Sequence, residues 1–222
     1  MSKDAILPSP HGKAFADRRR DPESKRDAVL HTAAQLFLEK SYGRTSMNDV
    51  ADRLRITKPA LYHYFRNKEE ILVECYRLGT TMIDEILNDI AAHCGTGLEK
   101  VEAFIHSYAN VMTVNFGRCV MRLDEGDLSP EAYADVRTYK RKIDRRLRSF
   151  IQEGIADGSV EPCDAKLAAF AIAGALNWIC VWYEPKGPLS PDEIAAQFVR
   201  TLTRGLAVQR RALPHQENSN DR

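Results

Sequence analysis

Apolar residues recur along this chain at intervals of three and four and almost never in alternation, so the pattern predicts helices and no strand. Val29, Ala33, Leu36 and Phe37 share one helical face and define a first helix from Glu23 to about Lys40. Tyr42-Gly43 interrupts it. Ser46 then reads as an N-cap, with Asp49 three residues on as its capping-box partner. Met47, Val50, Ala51 and Leu54 form the inward face of a short second helix. After a tight turn at Arg55-Ile56, Thr57 caps a third helix with Pro59 in its first turn and Leu61 and Phe65 as inward anchors. Asn67 with Glu70 opens a long fourth helix that runs to about Ala92. Its apolar positions are Ile71, Leu72, Tyr76, Met82, Ile83, Leu87 and Ile90.

The same reading continues downstream. A fifth helix follows Gly95-Thr96-Gly97 and runs to about Asn115, and Gly117 and the acidic residues 124–127 bracket a short sixth. Ser129-Pro130 caps a seventh that ends at Gly158, and Asp164 caps an eighth that ends near Tyr183. Past the Pro185-Lys186-Gly187-Pro188 loop, Ser190-Pro191 with Glu193 opens a ninth that ends near Arg210. The expected fold class is all-α, with about nine helices. The expected organisation is a disordered basic arm over residues 1–22, a helix-turn-helix unit over 23–68, a larger helical body over 69–210 and a frayed tail over 211–222.

Charge sharpens this division. The chain carries +1 overall, yet residues 1–66 hold 13 Lys+Arg against 8 Asp+Glu, and residues 67–222 hold 19 against 23. A basic head on an acidic body is the balance expected of a nucleic-acid-binding module joined to a domain of another kind. No apolar run of membrane-spanning length stands out, and residues 1–20 lack the apolar stretch of a secretory leader, so no membrane and a cytoplasmic location are expected. Five widely spaced cysteines without a CxxC pair argue against a disulfide framework or a structural zinc. The six histidines show no metal-ligand spacing, and there is no Gly-rich phosphate loop, GxSxG or HExxH. No enzyme activity, cofactor or metal is expected.

Two short helices joined by a tight turn, the second bearing polar and aromatic residues, make a helix-turn-helix pattern. The major groove of B-DNA admits one helix, which must be anchored on one face and exposed on the other. Thr57, Lys58, Ala60, Tyr62 and His63 point away from the anchors and suit phosphates or base edges. Arg55 in the turn adds a phosphate contact. Thr45 and Ser46 at the start of helix two, and Lys68 at the start of helix four, suit phosphates at helix N-termini. Tyr62 and His63 can equally be half-buried aromatics of a small core.

The stretch AAQLFLEKSYGRTSMNDVADRLRITKPALYHYFRNKEEIL, residues 33–72, resembles the N-terminal domain of the tetracycline-repressor (TetR) family, most specifically in TKPALYHYFRNKEEIL. The resemblance implies a homodimer on a palindromic DNA operator, released when a small molecule enters the C-terminal domain. Two positions depart from it: Arg55 and Ser41 stand where the family often has Gly, and Arg55 costs stability if its turn needs a positive φ.

The body offers less. Helix eight, DAKLAAFAIAGALNWICVWYEP, is apolar nearly all round and rich in small residues, which suits a dimer interface shared with helix nine (Ile194, Phe198, Leu202, Leu206) or burial inside one subunit. Phe104, Tyr108, Met112 and Phe116 on helix five, with Trp178 and Trp182 on helix eight, fit either the wall of an apolar ligand pocket or plain core. On helix seven Arg137, Arg141, Arg145 and Arg148 share a face. It reads as a solvated surface, or as an anion site in which Arg141 and Arg145 meet phosphates. The segment NWICVWYEPKGPLSPDEIAAQF is similar to a branch of the family that includes regulators of fatty-acid, steroid and other acyl-CoA catabolism. That likeness implies an acyl-CoA inducer; a regulator of drug efflux sensing lipophilic compounds is the alternative.

Overall fold

The computed structural model describes residues 22–121, 126 and 128–204, the Val120 side chain excepted. The arm up to residue 21, the acidic Asp124, Glu125 and Asp127, Leu206, the expected end of helix nine and the tail lie outside the described residues. Among the described residues there are nine helices and no strand: α1 Pro22–Lys40, α2 Met47–Leu54, α3 Lys58–Tyr62, α4 Lys68–His93, α5 Gly97–Val111, α6 Asn115–Met121, α7 Pro130–Asp157, α8 Ala165–Trp182 and α9 Pro191–Arg204.

The caps fall where the sequence puts them. Ser46 and Asp49 exchange hydrogen bonds in a full capping box. The Thr57 hydroxyl accepts from Ala60 N, and Asn67 accepts from Glu70 N at 2.7 Å. Ser129, Asp164 and the Ser190–Glu193 pair start α7, α8 and α9. Each cap satisfies helix N–H groups that would otherwise lack partners.

Two cores result. The first gathers Val29, Ala33, Leu36 and Phe37 of α1, the inward face of α2, Leu61, Phe65, and Ile71, Leu72 and Cys75 of α4, together with Phe116 and Cys119 of α6. The second gathers Ile83, Leu87 and Ile90 of α4 with residues of α5, α7, α8 and α9. One helix, α4, belongs to both.

The fifth helix ends earlier than expected and the short sixth begins earlier: α5 stops at Val111, a turn covers 112–114, and α6 starts at Asn115. A Cβ on Gly117 would stand 2.1 Å from the Val111 carbonyl oxygen, so only glycine allows α6 to fold back this tightly. Phe116, expected on the cavity wall, is thereby carried into the head core, where it lies 4.5 Å from the His31 ring.

α7 is pinned at its C-terminal end. Gly97 N donates to Asp157 Oδ2 at 2.7 Å, Leu98 N donates to Ser159 Oγ at 3.0 Å, and Lys100 pairs with Glu153 at 2.7 Å. The backbones touch here: a Cβ on Gly97 would fall 1.9 Å from Gly154 N.

α8 corrects one expectation. Its 18 residues, at mean hydropathy 1.5, do reach membrane-spanning length and composition, although Lys166 and Asn177 interrupt the run. The helix packs against α5, α6 and α7, so it is a wall of the body with one bare face. Leu167, Phe170, Trp178, Val181 and Trp182 stand on that face, and Trp178 is 62% exposed. The two tryptophans expected in a pocket therefore point out of the subunit. α9, by contrast, spends Ile194 and Ala195 on its own subunit, and Phe198 and Leu202 pack partly onto the same core. Its strongest neighbour is α5.

Candidate DNA-binding head and effector groove

Leu61 and Phe65 are fully buried and hold α3 against α1, α2 and α4. Arg26 lies 4.6 Å from the Phe65 ring centre and closes the core from outside. On the opposite side of α3, Thr57, Lys58, Tyr62 and His63 are exposed and Ala60 is half-exposed. Lys58 Nζ sits 5.8 Å over the Tyr62 ring, so the two present one cationic and aromatic surface. Ser46 and Arg55 are exposed beside them. Arg55 has φ 57° and Ser41 has φ 67°, so both turns that lack the family's glycine adopt the left-handed conformation that glycine favours.

Two expected DNA contacts are otherwise engaged. Thr45 is buried, its hydroxyl donating to Ser41 O at 2.8 Å. Lys68 donates to Tyr42 O at 2.8 Å and lies 4.1 Å over the Tyr42 ring. Both side chains brace the loop before α2. Exposed Arg44, in that same loop, was not singled out by sequence; its signal was only its place between Gly43 and the cap of α2.

Ion pairs tie the head together. Lys40 meets Asp49 at 2.6 Å and Arg53 meets Glu39 at 2.8 Å. The Lys40 hydrogen bond, followed by those of the Ser46 hydroxyl and N–H, holds the Asp49 carboxyl well below its usual range. Arg53, through its hydrogen bond, lowers Glu39 in the same direction.

In the body, α4, α5, α6 and α7 enclose a cavity of about 30 Å³, lined by Tyr76, Gly79, Thr80, Ile83, Tyr108, Val111, Met112, Gly117, Met121, Tyr139, Lys140 and Ile143. It would take one or two waters, against the ~300 Å³ or more of a typical ligand pocket. Tyr108 and Met112 stand where sequence expects them, and Phe104 stacks behind Tyr108 at 5.2 Å. The polar groups here are tyrosine hydroxyls bonded across helices: Tyr76 to Val136 O at 3.1 Å, Tyr139 to Thr80 O, and Tyr108 to Asn177 Oδ1 at 3.0 Å. Burial pushes the Tyr108 hydroxyl up to about 12 and those of Tyr76 and Tyr139 higher, so all three are neutral donors.

Further along α4 and α7 lies a separate cleft of about 410 Å³, lined by Asp84, Leu87 and Asn88 of α4 and Lys142, Arg145, Arg146 and Ser149 of α7. Lys142 pairs with Asp84 at 2.8 Å, and Arg146 lies 5.2 Å from the Phe150 ring centre. Of the expected arginine face, Arg145 lines this cleft. Arg141 is exposed outside it, and Arg148 is taken by Asp144 at 2.5 Å. An apolar cavity and a basic cleft thus share the α4–α7 seam. Tyr76, Thr80 and Tyr139 were beyond reach of sequence reasoning because their partners lie about sixty residues away. Among the described residues no cluster of three His, Cys, Asp or Glu side chains can hold a metal.

A helix-turn-helix head with an exposed cationic and aromatic face, on a helical body with an internal cavity, defines a DNA-binding regulator with a sensing domain. Residues 29–75 match the family model of bacterial regulatory proteins of the tetR family, and residues 94–206 match the tetracyclin repressor-like C-terminal domain. The chain belongs to the TetR family of transcriptional regulators. It is 28% identical over 194 residues to the HTH-type transcriptional repressor KstR2 of Mycolicibacterium smegmatis, covering 86% of this chain and 94% of that one. The fold superposes on AibR in its complex with isovaleryl coenzyme A and operator DNA with a TM-score of 0.71 and 26% identity, over 81% of this chain and 98% of AibR. PfmR of Thermus thermophilus gives 0.73 and 30%, over 81% and 99%.

Proposed function

We propose that this chain is a cytoplasmic transcriptional repressor that grips a palindromic operator as a homodimer and releases it when an acyl-CoA enters the α4–α7 groove. The observation that carries the ligand class is the pair of sites on the α4–α7 seam: a tyrosine- and methionine-lined cavity and, separately, a cleft with three cationic side chains. An acyl-CoA has the same two-part chemistry, an apolar acyl group and an anionic phosphate end. AibR, a relative in fold, is known with isovaleryl coenzyme A, and no carboxylate lines the cavity to favour a cationic drug.

In this reading the head over 23–68 reads DNA with Thr57, Lys58, Ala60, Tyr62 and His63, and Ser46 and Arg55 meet phosphates. Tyr108 and Met112 line the acyl end, and Arg145 meets the phosphate end. Phe170, Trp178 and Trp182 form the centre of the dimer contact, because a bare apolar helix face in a folded body calls for a partner. The dimer holds two α3 helices one DNA turn apart, roughly 34–36 Å.

The test is a selection of tight-binding DNA from a random library, then anisotropy titration at fixed salt with short-, medium- and long-chain acyl-CoA. Enrichment of a two-fold symmetric sequence and its release by one chain-length class is the expected result. Release by lipophilic drugs and by no acyl-CoA would overturn the ligand class and leave the repressor. Enrichment of no sequence would overturn the repressor.

A further inference from the structure

The seam between α4 and α7 carries polar ties in one line. Ser129 N, at the cap of α7, donates to Glu69 Oε1 at 3.0 Å. Tyr76 then donates to Val136 O, Tyr139 to Thr80 O, and Lys142 meets Asp84. The partners are separated by 60, 60, 59 and 58 residues, so the two helices run parallel and in step. The upper ties border the cavity and the basic cleft. The lowest lies in the first turn of α4, two residues past its Asn67 N-cap and among residues whose neighbours Ile71 and Leu72 belong to the head core. Leu128, just before the cap of α7, packs on that same head core. The start of α7 is therefore docked on the head by one apolar and one charged contact.

We propose that Glu69 is a positioning residue that couples the sensing helix α7 to the DNA-binding head. It touches neither DNA nor effector. It joins the end of the seam to the turn that aims α3. The inference rests on the repressor reading above and does not depend on which effector opens the groove. A ligand much larger than the present cavity must part α4 from α7, and parting them at Tyr139 moves the head only if the lower end stays tied. The Ser129 N–H, and then its hydroxyl, hold the Glu69 carboxyl below its usual range, as a committed acceptor should be.

The experiment is a double-mutant cycle on operator affinity, using the DNA selected by the unaltered dimer, with Tyr139→Phe, Glu69→Ala and the pair. Tyr139→Phe should weaken binding about 3- to 10-fold in the unaltered background and by less than about twofold in Glu69→Ala. Glu69→Gln keeps a carbonyl oxygen for Ser129 N–H and should restore the full effect. Equal losses in both backgrounds, no loss from Tyr139→Phe at all, or a Gln variant that behaves like Ala would each overturn the proposal. If the selection yields no DNA, the repressor reading has failed on its own, and amide exchange of the free protein carries the test. Tyr139→Phe should then speed exchange in the first turn of α4 only when Glu69 is present; faster exchange there in both backgrounds overturns the coupling.

Discussion

The head and the body of this molecule solve the same packing problem differently. In the head the inward apolar side chains of α2, α3 and the turn after it are spent: Met47, Val50, Leu54, Leu61 and Phe65 are buried, and the caps and ion pairs lie around them. In the body a cavity is left inside and an apolar helix face is left outside. A closed core gives a fixed reading surface. The body's unfinished core keeps a small internal void and an apolar helix face whose free energy of burial is not spent within the subunit.

The largest expected effect breaks the head. Phe65→Ala removes a fully buried ring and should cost about 3–5 kcal/mol, abolishing operator binding while the mass of the dimer in light scattering stays unchanged. If the dimer were lost as well, head and body would fold as one unit. Next comes the body. Trp178→Glu with Phe170→Glu puts charge on the bare face of α8; each buried aromatic anchor at an interface is worth about 2 kcal/mol or more, so sedimentation should show monomers with unchanged helicity. Operator affinity should fall with the dimer. A dimer of undiminished stability would send the interface elsewhere.

Acid separates the regions more gently. Asp49 and Glu39 have folded pKa values below their usual ones, so the unfolded chain binds these protons first. Their stabilisation of the head is complete above the usual carboxylate range and drains as pH falls below about 4. In an acid titration followed by amide exchange, α2 should lose protection before α8; simultaneous loss would deny the head its special dependence on these pairs. The smallest effect is at the turn. Arg55→Gly places glycine where φ is 57° and should raise head stability by up to about 1 kcal/mol, seen in thermal melts, with weaker operator binding if the guanidinium meets phosphate.

The same contrast governs what could be read from sequence. Ser46 with Asp49, Thr57, Asn67 with Glu70, and Ser129-Pro130 cap helices through contacts three residues long, so the head and the helix starts were legible. The positive φ at Arg55 was legible too, as a cost where glycine is usual; that at Ser41 was not, although glycine is usual there as well. The break between α5 and α6 was legible from Gly117, but its position after Val111 was not, because that depends on how closely α6 returns to the Val111 carbonyl. Nor was the outward turn of Trp178 and Trp182, because a helix apolar on all sides carries no periodic signal of which side faces in. The cavity was legible only through Tyr108 and Met112; its other hydroxyls were not, because they bond across helices far apart in the chain.

The glycine contact between Gly97 and Gly154 has a mechanical meaning. Backbone against backbone, with the Asp157 and Ser159 side chains holding the start of α5, it fixes the C-terminal end of α7 closely enough to act as a pivot. Ser129 lies 25 residues away along a rigid rod, about 38 Å at 1.5 Å per residue. A tilt of about 3° would sweep that far end through about 2 Å, enough to misalign a helix that must sit in a groove. Under the release proposed above, force applied in mid-span would be traded for travel at the tip, and a modest swelling of the interior would become a displacement that DNA cannot follow.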